Sequence, residues 1–515
     1  MGVDGPHLAG GRDVPRVGHE ELVVRLEILL DEGVARPDEG RRSLSHGNSS
    51  RRPATIYAST VPPTPLRRPV AVVLDAAAVF QALYAESADA FWLDGGMHAS
   101  SGMSYLGEAS SVVEARSWGE LQAAIDLPAP TGGSDSEPRF GLGWVGWLAY
   151  ELGTLDEEQA GSRATRGSEH PSAVFLRVDR AAEIDHATGA ITLLATEAPD
   201  AVSWLESAAR RLEAAAATPA ELAGYAEETL SLPTVPRHTP EAYAALVDAC
   251  RLLIMRGEAY QLCLTNQFTV AAHPDPLQAY LRLRSLSPTH HGGYLRVGDT
   301  ALLSASPERF LSVGADGTVS TRPIKGTRPR GGSALEDGLL ADELAHSEKE
   351  RAENLMIVDL MRNDLARVCE LGTVQVDELF AIETYPQVHQ LVSTIEGRLR
   401  AGLTALDAVT ACFPAGSMTG APKRSAMQHL AALEGGPRGI YAGAFGYLSL
   451  DGSIDLAMVI RSIVLTPAGA TVGAGGGITA LSETHDEVAE TLIKAAPLLA
   501  VLGAHPPDRR EQAKV

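Results

Sequence analysis

The sequence has few cysteines, and their placement argues against a structural cross-link. Only four occur among 515 residues, and no two of them form a Cys-x-x-Cys pair. This pattern favours reduced thiols in a cytoplasmic protein over a disulfide framework or a zinc site. No apolar run is long enough to span a bilayer, and the N-terminus lacks the apolar segment of a signal peptide.

Positive charge is also scarce. Lys and Arg number 43 against 65 Asp and Glu, so the formal net charge is −22. Such a balance argues against a nucleic-acid partner and against binding to an anionic membrane. An anionic substrate would therefore need a local group of cationic side chains or a bound metal ion. Hydrophobic residues (45%) and charged residues (21%) occur in the proportions of an ordinary globular protein.

The chain divides into three predicted segments. A length of 515 residues exceeds what one hydrophobic core usually serves, so two or more domains are expected. Residues 1–68 read as an N-terminal extension, with a short amphipathic helix over 19–32 and a Pro-, Ser-, Gly- and Arg-rich linker over 36–68. This extension is either partly disordered or an over-long start of the reading frame. Residues 69–230 and 235–505 are predicted to be globular. The first of these segments has a predicted strand over 71–74 and a predicted loop over 154–170, and residues 218–235 are a predicted connector.

The last segment begins with a clear helix start. Thr239 is a good N-cap, and Pro240 suits the first helical position. Alternating, strand-like runs then follow, beginning at Gln261 and including residues 454–465, and helical stretches such as 336–367 separate them. This succession predicts an α+β fold with antiparallel sheets.

A ten-residue stretch from Thr321 to Arg330 contains the most informative lysine in the chain. Its sequence is TRPIKGTRPR. Pro323 stiffens the backbone before Lys325, whereas Gly326 allows a turn directly after it. The surrounding arginines favour an anionic ligand, and a deprotonated lysine in such a site can act as a nucleophile. The alternative is an ordinary lysine in a solvated loop.

Several motifs decide between these alternatives, because together they resemble the chorismate-utilising enzymes. These motifs are PIKGTRPR with Lys325, SPERF at 306–310, EKERAEN at 348–354, FPAGS at 413–417, GAPK at 420–423 and GGGI at 475–478. The resemblance extends over about residues 70 to 503. It implies two antiparallel β-sheets packed as a sandwich with helices outside and a substrate cleft between them. In many members the N-terminal region holds tryptophan, but we interpret Trp92, Trp144 and Trp147 of this chain as core aromatics.

Two pairs of glutamates are candidate metal ligands. The members of each pair are three residues apart on a predicted helix, so they share a helix face (Glu350 with Glu353, and Glu487 with Glu490). Carboxylates on two facing helices suit Mg²⁺, although a single pair of this kind is usually a solvated face. The resemblance implies that these four residues coordinate Mg²⁺, directly or through water, and that the metal binds a substrate carboxylate.

The same resemblance supplies a substrate pocket for chorismate. It implies that Tyr441 and Arg461 hold the second carboxylate, together with backbone amides of a glycine turn. The expected pocket residues are Gln261, Gly326, Thr327, Ser417, Tyr441, Arg461, Gly475 and Gly477. A run of small residues lets amides point at an anion, and arginine offers a bidentate fork. Lys423 and Lys494 are interpreted as structural.

The resemblance also implies the catalytic roles. Glu308 matches the general acid of the family, which needs a pKa raised by burial, and Lys325 matches a nucleophile. A salt bridge between Glu308 and Arg309 is the structural alternative. Lysine at position 325 is typical of aminodeoxychorismate synthase component I, which makes the p-aminobenzoate precursor of folate, whereas anthranilate synthases have alanine there. Gln261 counts against the branches that use a lysine base at this position, and Gln390 counts against the branch that eliminates pyruvate.

Three other questions stay open at the level of sequence. Anthranilate synthase component I is the second enzyme candidate, and a non-catalytic subunit that binds tryptophan or chorismate is the candidate of another class. No Gly-x-Cys-x-Gly nucleophile occurs, so ammonia is expected from a separate glutamine amidotransferase subunit. The sequence does not separate a folate pathway from an antibiotic pathway, since the chemistry would be the same.

Overall fold

The computed structural model describes residues 64–130, 136–154, 171–217 and 231–507. Within these ranges the chain forms two antiparallel β-sheets and ten α-helices. The predicted N-terminal helix lies outside the described residues, as do nearly all of the predicted loop over 154–170 and most of the predicted connector over 218–235.

The larger sheet contains twelve of the described strands. Its order is β1 (Leu66–Val70), β8 (Ala190–Ala195), β7 (Arg180–Asp185), β3 (Met103–Glu108), β2 (Ala90–Asp94), β11 (His291–Val297), β12 (Thr300–Ser306), β21 (Ser462–Thr466), β22 (Gly469–Ile478), β10 (Gln261–Val270) and β18 (Gly420–Ala421). A short strand, β9 (Thr234–Pro236), also pairs with β10.

The smaller sheet contains ten of the described strands. Its order is β15 (Ile324–Pro329), β17 (Val388–Arg398), β14 (Thr318–Thr321), β13 (Arg309–Val313), β20 (Ile454–Met458), β19 (Ala444–Ser449), β5 (Gly143–Leu148), β6 (Ala173–Val178) and β4 (Ser111–Ala115). The long strand β16 (Gln375–Thr384) pairs with β17.

The helices of the described ranges connect these strands. They are α1 (Ala76–Leu83), α2 (Trp118–Ala124), α3 (Ala201–Ala217), α4 (Pro240–Met255), α5 (Pro276–Leu286), α6 (Ala334–His346), α7 (Glu348–Ala366), α8 (Ala405–Cys412), α9 (Lys423–Glu434) and α10 (Thr484–Val501). Two 3₁₀ turns occupy Tyr150–Thr154 and Gly416–Met418. None of the described helices combines the length and the apolar character needed to cross a membrane.

Alternation along the strands builds three hydrophobic cores. In β2, Phe91 belongs to a core formed by facing residues of the two sheets, whereas Trp92 belongs to a core between the larger sheet and its helices. Trp147 joins the core between the sheets, and Trp144 joins a third core, between the smaller sheet and its helices. Successive side chains of a strand point to opposite faces, so each sheet serves two cores. The predicted sandwich with outer helices is confirmed, and the three tryptophans are buried core residues.

Most predicted elements agree with the structure, but three boundaries were wrong. Residues 71–74 were predicted as a strand, whereas the strand is β1 and residues 71–75 are irregular. The predicted helical stretch over 336–367 is two helices separated at Ser347, which caps the second. The predicted strand over 454–465 is two strands with a break that includes Arg461.

The division of the chain into segments 69–230 and 235–505 stays a prediction. Strands from both segments contribute to both sheets, since β2 pairs with β11 and β5 pairs with β19. Residues 66–68, which we assigned to the extension, belong to β1.

Candidate active site

Lys325 lies in a β-bulge of strand β15. Ile324 and Thr327 each pair with a residue of β17, but only one residue of β17 lies opposite Lys325 and Gly326 together. A bulge bends the strand and re-aims its side chains, and bulges are common beside active sites. The side-chain nitrogen of Lys325 has no hydrogen bond or ion pair with any residue that the structure describes.

Glycine is required at position 326 for two reasons. Its φ of +81° lies in the left-handed region, which side chains with a Cβ seldom adopt. A methyl group at this position would also lie 2.7 Å from Leu344 Cδ1 and 3.0 Å from Glu350 Cδ. The bulge therefore brings Lys325 beside helix α7, which carries Glu350.

Glu308 is buried, with 8% of its surface exposed. Ser417 Oγ donates a hydrogen bond of 3.0 Å to Glu308 Oε1. Burial raises the pKa of Glu308 to about 7, while Lys325 and hydrogen bonds from Ser417 and the Ile324 backbone oppose the rise. A carboxyl group that is partly protonated near neutral pH is suited to donate a proton.

The predicted salt-bridge alternative for Glu308 does not occur. Arg309 instead pairs with Asp455 at 3.1 Å and with Glu137 at 3.7 Å. Arg309 is the first residue of strand β13, whereas Glu308 lies in the irregular segment before it, and the two side chains have different partners.

Gln261 has a fully buried side chain whose amide lacks partners. It is 0% exposed, and neither its amide nitrogen nor its amide oxygen has a hydrogen-bond partner among the described residues. A methyl group at Gly477 would lie 2.3 Å from Gln261 Nε2 and 3.6 Å from Lys325 Nζ. Gln261, Gly477 and Lys325 therefore meet at one place. A buried amide without partners costs about 1–3 kcal/mol, so this amide is suited to bind a small polar group.

The predicted glycine turn is a regular part of strand β22. Gly475, Gly476 and Gly477 pair with Thr265, Leu264 and Cys263 of β10. The assignment of a turn was therefore wrong. Glycine is needed here because strands and side chains approach closely: a methyl group at Gly475 would lie 2.1 Å from the Leu264 carbonyl oxygen.

Tyr441 and Arg461 lie together near the same strand. A methyl group at Gly473 would lie 2.2 Å from Tyr441 Cγ, so the tyrosine ring covers β22. Burial lowers the pKa of Arg461, and the neighbouring Tyr441 and Glu490 oppose this effect. The guanidinium group of Arg461 remains accessible and makes no hydrogen bond or ion pair within the described ranges. An accessible guanidinium group without a protein partner is available to bind an anion.

The four predicted metal ligands lie in one acidic region. Burial raises the pKa of Glu353, and the negative charges of Glu350 and Glu487 add to this effect. The pKa of Glu487 is raised by its burial and by Glu490. Burial acts to raise the pKa of Glu490 too, but its ion pair with Lys494 at 2.6 Å outweighs this and the pKa is lowered.

The acidic region suits a hydrated cation better than a closed metal cage. Among the described residues, no three Asp, Glu, His or Cys side chains form a ready-made metal site. Glu350 faces Arg328 at 3.7 Å, and Glu490 is paired with Lys494. The charge of Glu487 adds to the raised pKa of Glu353, and a cation would relieve this repulsion. Mg²⁺ usually keeps several waters and binds only one or two carboxylates directly, so this set of oxygen donors fits it.

The two lysines that we interpreted as structural have structural contacts. Lys423 Nζ donates to Asp364 at 2.5 Å and to the Cys412 carbonyl at 2.8 Å. Lys494 forms the predicted ion pair within α10 and also donates to the Gly475 carbonyl at 2.9 Å.

Thr327, a predicted pocket residue, is exposed beyond the bulge.

One buried ion pair beside the site was missed by the sequence analysis. Arg438 and Glu434 are 4% and 2% exposed, and two hydrogen bonds of 2.7 and 2.8 Å join them. Arg438 also donates to the carbonyls of Met418 and Cys263, at 2.6 and 2.8 Å. It thereby links the turn that holds Ser417 to the strand that begins with Gln261. The only signal of this ion pair in the sequence was the four-residue spacing of Glu434 and Arg438 at the end of a predicted helix.

A cavity near the site and the state of the cysteines complete the description. A cavity of about 460 Å³ is lined by Tyr441, Gly473, Thr265 and Arg438, among others, and does not include Lys325 or Glu308. All four cysteines are buried thiols without a disulfide bond.

Comparison with known proteins identifies the family. The sequence profile of the chorismate binding enzymes matches residues 80–500. The chain belongs to the chorismate binding enzyme family. Every residue of the proposed site lies within the matched region, and the two-sheet architecture is that of solved members.

Relatives of two kinds are similar to the chain. An aminodeoxychorismate synthase of Streptomyces pristinaespiralis is 43% identical over 469 residues, which covers 84% of this chain and 64% of the relative. An aminodeoxychorismate synthase of Streptomyces griseus is 46% identical over 379 residues, which covers 73% of this chain and 52% of the relative. Component 1 of anthranilate synthase from Mycobacterium tuberculosis is 39% identical over 405 residues, covering 75% of this chain and 77% of the relative. The chain thus spans less than two thirds of the two synthases from Streptomyces.

Solved structures have the same fold. Anthranilate synthase component I from Streptococcus pneumoniae superposes with a TM-score of 0.64 at 28% identity, covering 89% of this chain and all of that chain. The menaquinone-specific isochorismate synthase of Escherichia coli superposes with a TM-score of 0.61 at 19% identity, covering 93% of this chain and 99% of that chain.

Proposed function

We propose that the chain is an aminodeoxychorismate synthase component I, which converts chorismate and ammonia to 4-amino-4-deoxychorismate for p-aminobenzoate and folate synthesis. The observation that carries this proposal is Lys325, which lies in a bulge within electrostatic reach of Glu308 and beside Gln261 and Gly477. The similarity to aminodeoxychorismate synthases at 43–46% identity supports it.

The reaction begins with the loss of the ring hydroxyl. Hydroxide is a poor leaving group, so Glu308 donates its proton and the hydroxyl leaves as water. Lys325, as the free amine, attacks the far end of the allylic system at the same time, and a C–N bond replaces the C–O bond. Ammonia then attacks the original carbon and expels the lysine amine, and Glu308 regains a proton from the incoming nitrogen. Two successive displacements divide one difficult step into two.

Substrate binding relies on charge at both ends of the ligand. Arg461 and Tyr441 hold one carboxylate of chorismate, with the backbone of Gly475 and Gly477 close by. Glu350, Glu353, Glu487 and Glu490 would hold Mg²⁺. When bound, the ion supplies positive charge for the other carboxylate, which would otherwise face an acidic region. The unpartnered amide of Gln261 binds a polar group of the substrate or the incoming ammonia.

The ammonia is supplied by a separate glutamine amidotransferase subunit. The proposal also includes a cytoplasmic location, which the four buried free thiols support.

Anthranilate synthase component I is the second candidate, because relatives of that name cover 75% of this chain at 39% identity. The deciding experiment incubates the purified chain with chorismate, Mg²⁺ and an ammonium salt, with mass analysis of the products. We expect aminodeoxychorismate without release of pyruvate. Anthranilate with pyruvate would reject the proposal in favour of the second candidate.

The role of Lys325 has its own test. Lys325→Ala should abolish the formation of aminodeoxychorismate and leave the fold intact, because the variant keeps every other contact of the site. Arg362→Ala, at an exposed position of helix α7, is a control that removes one cationic side chain without removing the proposed nucleophile. Unchanged product formation by the Lys325→Ala variant would exclude a covalent role for this residue.

A further inference from the structure

Asn354, which directly follows Glu353 on helix α7, has a fully buried amide that is bonded at one end to strand β17 and at the other to the segment between β14 and β15. Its side chain is 0% exposed. Asn354 Nδ2 donates a hydrogen bond of 3.2 Å to the Pro323 carbonyl, and Asn354 Oδ1 accepts one of 2.6 Å from Ser393 Oγ. The amide therefore joins the helix of the proposed metal ligands to strand β17 and to the segment that leads into the Lys325 bulge.

The Pro323 carbonyl is an anchor directly before that bulge. It accepts a second hydrogen bond, of 3.2 Å, from the backbone nitrogen of Ser393. Proline has no N–H, so this carbonyl is the only backbone group through which residue 323 can be held. The register with β17 is then interrupted at Lys325 and Gly326. The hydrogen bonds on Pro323 thus fix the point from which the bulge departs.

Ser393 extends the connection to a strained part of strand β16. Its Oγ accepts a hydrogen bond of 3.0 Å from the backbone nitrogen of Phe380. Phe380 has a φ of +59°, which is uncommon for a residue with a bulky side chain. The guanidinium of Arg351, on the same helix as Asn354, lies 4.5 Å from the centre of the Phe380 ring. Helix α7 is therefore fastened to the hairpin of β16 and β17 at two positions.

We propose that Asn354 is a positioning residue, which fixes the location of Lys325 relative to Glu353. This inference rests on the proposed function of both residues. Glu353 is adjacent to Asn354 in sequence, and Lys325 lies two residues after Pro323, so a single amide connects the two halves of the site. A displacement of about 1 Å in an active site can lower the rate about 10²-fold. The amide acts through Lys325 and has no contact with substrate of its own.

Asn354→Asp is the sharpest test, because aspartate has nearly the same shape. It keeps an oxygen that can accept from Ser393 but replaces the donor to Pro323 with a second oxygen. Asn363→Asp is the matched control, since it makes the same substitution at an exposed position of the same helix. We expect kcat to fall about 10- to 100-fold for Asn354→Asp only. The KM for chorismate should stay close to the wild-type value, because the proposed binding groups are untouched.

Hydrogen–deuterium exchange tests the inference without catalysis. Backbone amides over residues 321–329 should exchange faster in Asn354→Asp than in the wild-type chain or in Asn363→Asp. Ser393→Ala is a milder second variant if Asn354→Asp lowers the melting temperature. Its effect on kcat should not add to that of Asn354→Asp, because both substitutions act on one hydrogen-bonded unit.

The outcomes separate this inference from the proposed function. Equal kcat and equal exchange in Asn354→Asp and Asn363→Asp would overturn the positioning role, as would a loss expressed only in KM. If the wild-type chain makes no aminodeoxychorismate, the proposed function fails, and the exchange rates still decide whether Asn354 holds the Lys325 segment.

Discussion

The hydrogen bond from Ser417 to Glu308 makes the pH dependence of the reaction predictable. The proposed acid must be protonated, so kcat/KM for chorismate should fall as the pH rises through the pKa of Glu308, which is about 7. Ser417 Oγ, at 3.0 Å, stabilises the ionised carboxylate and lowers this pKa. Ser417→Ala removes that stabilisation, so the alkaline limb of the profile should move to higher pH.

The size of the shift follows from the strength of the hydrogen bond. A hydrogen bond to a charged group contributes about 1.5–3 kcal/mol, and 1.36 kcal/mol corresponds to one pKa unit. The midpoint should therefore rise by roughly one to two pKa units. The assay is the initial rate of aminodeoxychorismate formation between pH 6 and about 10, a range set by the expected midpoints.

Two precautions make this test specific. The concentration of free ammonia must be held constant across the pH series, because ammonia itself titrates. Ser425→Ala is the control, since Ser425 donates instead to the Glu258 carbonyl at 2.7 Å. An unchanged midpoint, or one displaced to lower pH, in the Ser417→Ala variant would refute the assignment of Glu308 as the acid tuned by Ser417.

Three further predictions concern stability and metal binding. The folded pKa of Glu308 (about 7) lies above its ordinary value of 4.5, so its contribution to stability is present below about pH 4.5 and is lost as the pH rises to about 7. The loss should amount to about 3 kcal/mol, and urea unfolding at several pH values should show it for the wild-type chain but not for Glu308→Gln. Arg438→Met leaves the Glu434 carboxylate buried without its partner and should cost about 3–5 kcal/mol in urea unfolding; the exposed Arg362→Met is the control, and equal effects would contradict a structural ion pair. Mg²⁺ should raise the melting temperature of the wild-type chain, with about 2.7 kcal/mol of stabilisation at one hundred times its Kd, and this gain should shrink in Glu353→Gln; an equal gain would exclude Glu353 as a ligand.

Local sequence signals predicted most of the fold because caps and strand alternation act over a few residues. Thr239 accepts the capping hydrogen bond from Ala242, as expected, and Pro240 begins the helix. The missed break at Ser347 has no Gly or Pro to mark it. Its side chain accepts a hydrogen bond from Glu350, so a polar residue inside a predicted helix is in fact an N-cap. The break between β20 and β21 was missed for a related reason, since Arg461 adopts a φ of +51° that arginine does not favour by itself.

The motifs placed the candidate residues in the chain, but contacts between distant segments determine their surroundings. The raised pKa of Glu308 depends on burial, which no pattern around residue 308 reports. Asn354 occurs within a recognised motif, yet its partners are Pro323, just before strand β15, and Ser393 in strand β17. The same holds for Arg438, whose carbonyl partners lie on two further segments. Such roles depend on tertiary packing and were beyond reach of the sequence.

The pairing of β2 with β11 and of β5 with β19 has a consequence for synthesis of the chain. Strands β2 and β5 leave the ribosome long before β11 and β19 do. Until the later strands are synthesised, one edge of β2 and one edge of β5 are unpaired. Open edges of this kind invite pairing with other chains, and pairing between distant segments is slow. A truncated chain that ends near residue 230 should therefore aggregate during expression, because β2 and β5 would lack their partner strands.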